Sequence, residues 1–340
     1  MTPELFVTAD DRTGALEVGG VIASHGIEVP VGPYAADADS ACLVVDLDCR
    51  QVPGADAASR MLRAHGKTAR FRAHKMDSGL RGNWPHEVKA LTTLGYRVAV
   101  VPSFPDAGRR CVGGVVFVDD VPVLDSPFGN DPFTAPVSNR PVEILEHAGC
   151  LDPGIEVWDA DDNRELQAAI TRCRAEDRVL VGPTGAVGAF ADTVFNGRGT
   201  LHRTIQKPVL IICGSLNATS RRQLTHLGVP VQMMDGDCNV VADVSVFATH
   251  LPDEEVTLPE ARNVAMRTAG FVREQLKTER FATLLMIGGD TSAALLGDET
   301  VVVIGTVDTG IPVSRYSNID LVTKGGGIGQ PDTLIKLLSE

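Results

Sequence analysis

The feature that most limits the fold is a recurring alternation of short apolar, β-branched runs with longer amphipathic segments that end in glycine. "ELFVTAD" predicts a strand, "TGALEVGGVIASHG" a helix ended by Gly26, "ACLVVDL" a strand and "GADAASRMLRAHG" a helix ended by Gly66. "RFRAHKMD", "WPHEVKALTTLG" with Pro85 near its first turn, and "YRVAVVPS" continue the series as strand, helix and strand. This is βαβ grammar, and it favours parallel strands covered by helices. In such open sheets, ligands meet the carboxyl ends of the strands, so polar residues at strand-to-helix junctions are the first candidates for a site.

Between residues 102 and 141 the alternation gives way to a stretch rich in Gly, Pro and Asp, in which "GVVFVDDVPVLD" predicts a hairpin. Alternation returns with "GIEVWDA", "NRELQAAITRCRA", "RVLVGP" and a helix around "VGAFADTVF". "NGRGTLHRTIQKP" has no apolar period and reads as a connection, after which "VLIICGS", the helices "TSRRQLTHLG" and "PEARNVAMRTAGFVREQLK", and the strand "FATLLMIGGD" begin afresh. A chain of 340 residues suits two domains. The expected fold class is α/β: two α/β domains, 1–205 and 206–340, with mostly parallel sheets facing across a cleft.

Composition excludes several function classes. A formal charge of −13 with no basic run repels phosphate backbones, so nucleic acid is not an expected partner, although a few convergent cations can still hold a small anion. Seven cysteines without a CxxC pair argue against a disulfide framework or a zinc cluster, and the thiols are expected to be reduced. The longest apolar runs are too short to cross a bilayer and the N-terminus lacks a signal-peptide pattern, so the expected location is the cytoplasm. A homodimer is expected only on the base rate for oligomers of soluble proteins.

"FVTADDRTGA" ends a strand with Asp10 and Asp11. Adjacent carboxylates there can take a hydroxyl proton or hold Mg²⁺, while the plainer reading is a helix cap. "KMDSGLRG" offers the cation Lys75, the anion Asp77, the hydroxyl of Ser78 and the guanidinium of Arg81, with Gly79 and Gly82 allowing close approach; a charged surface turn would look the same. Arg50 in "DLDCR" and Arg109 in "FPDAGRR" matter only if they converge with Arg81. In the second half, "IICGSLNATSRRQ" with Ser215, "LLMIGGDTSAALL" with Gly288, Gly289, Asp290 and Thr291, and "TKGGGIGQPDTL" with Gly325, Gly326 and Gly327 are three glycine loops. Each of them suits a nucleotide's phosphates. None fits GxxxxGK[ST] or GxGxxG, which disfavours a P-loop or a classical dinucleotide site. No His pair has metal-ligand spacing, and no GxSxG elbow is present.

Taken together, "ADDRTGA", "KMDSGLRG", "FPDAGR", "VPVLDSPFGNDPF", "GPTGAVGAFA", "CGSLNATSRRQ", "GGDTSAALL" and "TKGGGIG" occur in the order seen in the four-carbon acid sugar kinase family, which this chain resembles over nearly its whole length. The resemblance implies an N-terminal acid-sugar-binding domain, a C-terminal ATP-binding domain, and Mg·ATP-dependent phosphorylation of an acid such as threonate, erythronate or 3-oxo-tetronate. It implies a substrate site of Asp10 or Asp11, Arg50, Lys75, Asp77, Ser78 and Arg81, with Arg50 and Arg81 on the anionic end and Asp11 the favoured base. It implies a nucleotide site of Ser215, Gly288, Gly289, Asp290, Thr291, Gly325, Gly326 and Gly327. The chain departs from the family's common pattern at Arg12, Arg110 and the "KGGGIG" loop. Two added cations would suit a larger or more anionic acid. The alternatives are a non-catalytic sugar-acid sensor and an NAD(P)-dependent oxidoreductase.

Overall fold

The computed structural model describes residues 2–33, 38–131, 133–234, 243–251, 257–278 and 281–339. The chain forms two compact units, Met1–Val18 with Ile27–Gly199, and Gly19–Gly26 with Thr200–Glu340.

The first unit begins β1 (Leu5–Ala9), α1 (Arg12–Ala23, whose last turns are counted with the second unit), β2 (Val29–Gly32), β3 (Cys42–Asp46), α2 (Gly54–Ala64), β4 (Phe71–Lys75), α3 (Trp84–Thr93) and β5 (Val98–Val100). A small antiparallel sheet follows: β6 (Arg109–Val112), β7 (Val115–Val118) and β8 (Val121–Pro122). The unit ends with α4 (Pro141–His147), β9 (Ile155–Val157), α5 (Asn163–Ala175), β10 (Val179–Gly182) and α6 (Thr184–Val194). Its main sheet runs β2-β3-β1-β4-β10-β5-β9, parallel throughout. The strands are apolar on both faces because both faces are covered: every residue of β1, β3 and β10 is buried. Phe6, Leu43, Met61, Trp84 and Leu91 form the core on one side.

The predicted hairpin forms between β7 and β8, and its turn residues Asp119 and Asp120 have φ of 48° and 70°. Asp is one of the few residues that tolerates two successive positive φ values, as the tightest hairpin turns require. Sequence reading passed over β6, which extends this hairpin to three strands.

The second unit contains β11 (Val209–Cys213), α7 (Ala218–Leu227), β12 (Val231–Met233), β13 (Val244–Ala248), α8 (Leu258–Thr278), β14 (Thr283–Ile287), α9 (Gly289–Leu296), β15 (Val301–Asp308), β16 (Ile311–Tyr316), β17 (Ile319–Lys324) and α10 (Thr333–Ser339). The order β12-β13-β11-β14-β17 is parallel, and β17-β16-β15 closes it as an antiparallel meander. The "NGRGTLHRTIQKP" segment forms no strand of its own but is held in place, with Arg203 N–H donating to Thr306 O at 2.7 Å and Thr283 Oγ1 to Gln206 O at 2.8 Å.

Six cysteines, Cys42, Cys49, Cys111, Cys150, Cys173 and Cys213, are free and buried, while Cys238 lies outside the described residues. Among the described residues, no helix is long and apolar enough to cross a membrane.

Candidate active site

Strands β3, β1 and β4 are neighbours, and their register pairs Ala9 with both Asp46 and Lys75. The three chains therefore leave the sheet side by side, and the loops carrying Asp10 and Asp11, Arg50, and Asp77 to Arg81 emerge together. Cys49 and Arg50 N–H both donate to Asp10 O, at 2.9 and 3.2 Å, which ties the second loop to the first.

The side chains converge more tightly than their spacing in sequence indicates. Arg50 Nε donates to Asp10 Oδ2 at 2.8 Å, its Nη1 lies 2.6 Å from Asp11 Oδ2, and its Nη2 lies 3.5 Å from Asp77 Oδ1. Lys75 Nζ sits 3.5 Å from Asp10 Oδ1 and 3.9 Å from Asp11 Oδ1. Arg81 grips Asp77 with two parallel bonds, Nε to Oδ2 at 2.9 Å and Nη2 to Oδ1 at 2.7 Å, and turns Nη1 to Asp131 Oδ2 at 2.8 Å. Both guanidinium groups are thus engaged by the protein's own carboxylates. Arg109 joins the group through Phe128, whose ring lies under Arg81 at 4.9 Å and under Arg109 at 5.5 Å. The Ser78 hydroxyl, half-buried, makes no hydrogen bond to the described residues.

Two glycines make this density possible. A Cβ at Gly14 would fall 2.1 Å from Lys75 Nζ, so the lysine lies directly across the first turn of α1. At Gly79 a Cβ would strike the Phe128 ring at 2.2 Å.

Electrostatics follow from burial and pairing. Burial opposes the Arg50 charge, but Asp10, Asp11 and Asp77 outweigh it and hold the guanidinium well above its usual range. Burial likewise opposes the Lys75 ammonium, and Asp10 and Asp11 more than offset it. Burial would raise Asp77, yet Arg50 and Arg81 keep its carboxyl far below the usual range. Sequence reading missed Glu17, which faces Lys75 and Asp11 and accepts from Thr184 Oγ1 at 3.4 Å. Burial pushes Glu17 up to about 7, with Lys75 and Arg50 opposing and Asp11 adding to the rise.

Arg12 and Arg110 add no spare cation. Arg12 is buried with Nη1 3.8 Å from Asp46 Oδ2, and Arg110 pairs with Asp120 and Asp161. Burial also pushes Asp46 up to about 7, against the pull of its bond from Asp48 N–H and of Arg12.

These two raised carboxyls predict a pH effect. Their ordinary values are 4.5 for Glu17 and 3.8 for Asp46, so the native chain keeps protons that the unfolded chain releases as pH climbs towards 7. Stability from these groups therefore falls as pH rises through that window. The variant Glu17→Gln, Asp46→Asn should flatten the decline in Tm between pH 5 and 7.5; an unchanged slope would refute the assignment.

The second unit repeats the strand-end logic. Strands β11, β14 and β17 adjoin, with Cys213 paired to Ile287 and Ile287 to Lys324. Their exits bring the three glycine loops together. A Cβ at Gly214 would lie 2.0 Å from Thr291 Oγ1, one at Gly326 would lie 2.3 Å from Ser215 Oγ, and Gly288 has φ of 126° and Ser215 N within 3.1 Å of its Cβ position. The loops border a cavity of about 630 Å³ to which Gly214, Ser215, Gly288, Gly289, Asp290, Thr291 and Gly326 contribute; Gly325 and Gly327 flank Gly326 without lining it. Helix α8, which sequence reading left without a role, supplies an apolar wall through Ala261, Val264, Ala265 and Phe271. Asn217 caps α7, its Oδ1 accepting from Thr219 N–H at 2.8 Å, and Arg221 fastens the first loop by donating to Ser215 O at 2.8 Å and Thr249 O at 2.7 Å. Lys324 is buried beside the third loop, Nζ donating to Gly325 O at 3.1 Å, and burial lowers it to about 8.

Each part of the chain also matches a known family. Residues 5–182 match the Sugar-binding N-terminal domain family, and residues 237–334 match the Nucleotide-binding C-terminal domain family. The chain belongs to the four-carbon acid sugar kinase family. This family member is 25% identical to the D-threonate kinase of Salmonella typhimurium over 98% of its own length and 97% of that protein. It is 24% identical to the 3-oxo-tetronate kinase of Burkholderia multivorans over 99% and 97% of the two chains. Its fold is similar to that of a Haemophilus influenzae protein of known crystal structure, with a TM-score of 0.71, 19% identity, and 98% and 99% of the chains covered.

Proposed function

We propose that this chain transfers the γ-phosphoryl group of Mg·ATP to a hydroxyl of a four-carbon sugar acid such as threonate, erythronate or 3-oxo-tetronate. The observation that carries the reading is the cavity walled by three glycine loops, where backbone and hydroxyl groups converge as triphosphate binding requires. Its lining continues into an apolar wall of a size suited to a base and sugar. The altered "KGGGIG" loop still brings Gly326 to the cavity, which removes the ground for a degenerate nucleotide half.

Acceptor chemistry belongs to the 1–205 half. With Arg50 and Arg81 held by carboxylates, the cluster is built to receive hydroxyl donors as much as to hold an anion. Lys75 is itself paired with Asp10 and Asp11, and Arg109 with Asp119, so an acid group would share these cations with the protein's own carboxylates. Asp11 is the base of choice because its side chain is 25% exposed, whereas Asp10 and Asp77 are at 1% and 6%. It would accept the hydroxyl proton as the oxygen attacks phosphorus.

Magnesium fits the donor set. The Asp290 carboxylate and the Ser215 and Thr291 hydroxyls at the cavity are hard oxygen ligands of the kind that hold Mg²⁺ together with phosphates. The ion would neutralise charge on the transferring group.

A coupled assay of ADP release over four- to six-carbon aldonic and keto acids tests the proposal, which fails if no acid stimulates release above the rate with ATP alone. Asp11→Asn should lower turnover on the order of 10²-fold or more while leaving the KM for ATP unchanged. Turnover near that of the parent chain would remove Asp11 from this role.

A further inference from the structure

Beneath the acceptor cluster lies a polar chain that the proposed chemistry does not use. Glu87 on α3 is fully buried: its Oε1 accepts from Cys49 Sγ at 2.9 Å, and its Oε2 lies 2.7 Å from His74 Nε2. His74 Nδ1 meets Thr8 Oγ1 at 3.0 Å, and Thr8 Oγ1 meets His65 Nε2 at 3.4 Å. Thr8, Cys49, His74 and Glu87 are all at 0% exposure, set among Phe6, Met61, Trp84 and Val88.

Burying a carboxylate costs several kcal/mol even when it is paired, and an apolar group of similar volume at position 87 would pack against those neighbours at no such cost. What the carboxylate adds is geometry. Cys49 immediately precedes Arg50, His74 immediately precedes Lys75, and Thr8 stands two residues before Asp10. Because successive strand residues alternate faces, His74 points down to Glu87 where Lys75 points up to Asp10 and Asp11. The carboxylate of Glu87 therefore joins the two backbone segments that present the cluster's central cations.

We propose that Glu87 is a positioning residue that fixes Arg50 and Lys75 through Cys49 and His74. It touches no reacting atom, and its effect on catalysis rests on the kinase reading given above. Thr8, Cys49, His74 and Glu87 are all partnered, and only His65 Nδ1, at the far end of the chain, is not. Buried polar groups satisfied in this way rigidify the segments attached to them. A misplacement of about 1 Å at a reacting centre can cost on the order of 10²-fold in rate.

The test uses the full chain with Glu87→Gln, Cys49→Ala and Cys49→Ser. Hydrogen exchange at the Cys49 and Arg50 amides, both bonded to Asp10 O, reads the loop's position without reference to activity. In Glu87→Gln and Cys49→Ala, exchange should quicken roughly tenfold and the KM for the sugar acid should rise by a similar factor, with the KM for ATP unchanged. Cys49→Ser keeps a donor to Glu87 and should behave as the parent chain does. The double variant Glu87→Gln, Cys49→Ala should be no worse than Glu87→Gln alone, since Cys49→Ala cuts one of the two links that Glu87 makes. Unchanged exchange in Cys49→Ala, or faster exchange with the acid's KM within about twofold of the parent value, would overturn the proposal. Should the parent chain phosphorylate no sugar acid, the kinase reading fails, and exchange alone decides whether Glu87 holds the loop.

Discussion

Arg50→Met should destabilise the first unit by about 3–5 kcal/mol, the usual consequence of removing one partner from a buried ionic group. Three carboxylates share this guanidinium, and two of them, Asp10 and Asp77, have almost no access to water. Without the cation they would be left with Lys75 and Arg81, neither of which can reach all three. Arg50→Lys should rescue little, because a single ammonium cannot satisfy carboxylates that now bind three different nitrogens of one planar fork. Both tryptophans, Trp84 and Trp158, lie in the first unit, so fluorescence during urea denaturation follows that unit specifically. A midpoint equal to that of the parent chain would show that the carboxylates do not depend on Arg50. Where the variant remains folded, binding of the sugar acid should also be lost.

Gly214→Ala should weaken ATP binding on the order of 10²-fold or more while leaving sugar-acid binding intact. The added methyl would overlap Thr291 Oγ1 at 2.0 Å and press on Thr291 Cβ at 3.0 Å. Thr291 is 3% exposed and cannot swing aside. Relief requires the second glycine loop to retreat from the first, which distorts the cavity where phosphates would sit. Gly326→Ala should act the same way through Ser215. Gly327→Ala is the control, since its Cβ would meet only Asn217 Nδ2 at an ordinary 3.7 Å. Equal nucleotide affinity in Gly214→Ala and Gly327→Ala, measured by calorimetry, would contradict the convergence of the three loops on one ligand.

Much of this architecture was legible in the residues. Continuous apolar runs such as "LFVTA" and "VLIIC" mark strands buried on both faces, and polar residues directly after them mark the ligand end of the sheet. Pairing preferences were not legible. Arg50 and Arg81 look like free anion hooks in sequence, and only tertiary proximity reveals that Asp10, Asp11, Asp77 and Asp131 already engage them. Phe128 and Asp131 stood inside the quoted "VPVLDSPFGNDPF", but nothing local says that the ring would lie against Gly79 and between two arginines. Glu17 carries no local signal either, since a Glu one turn into a helix ordinarily faces water. The meander β15 to β17 escaped notice because Gly305 and Pro312 interrupt its strands, and the register shifts around Gly305 blur the period-two pattern.

The sealed thiols have a practical consequence. Burial pushes Cys173 up to about 12 and raises Cys42, Cys49, Cys111, Cys150 and Cys213 as well, so alkylating reagents have almost no nucleophile to meet among the six described thiols of the folded chain. Labelling at each of these sulfurs then registers transient openings, and peptide mass spectrometry can time them separately. Cys213 would serve as the stopwatch for the glycine-loop half, and the other five for the half that holds Arg50.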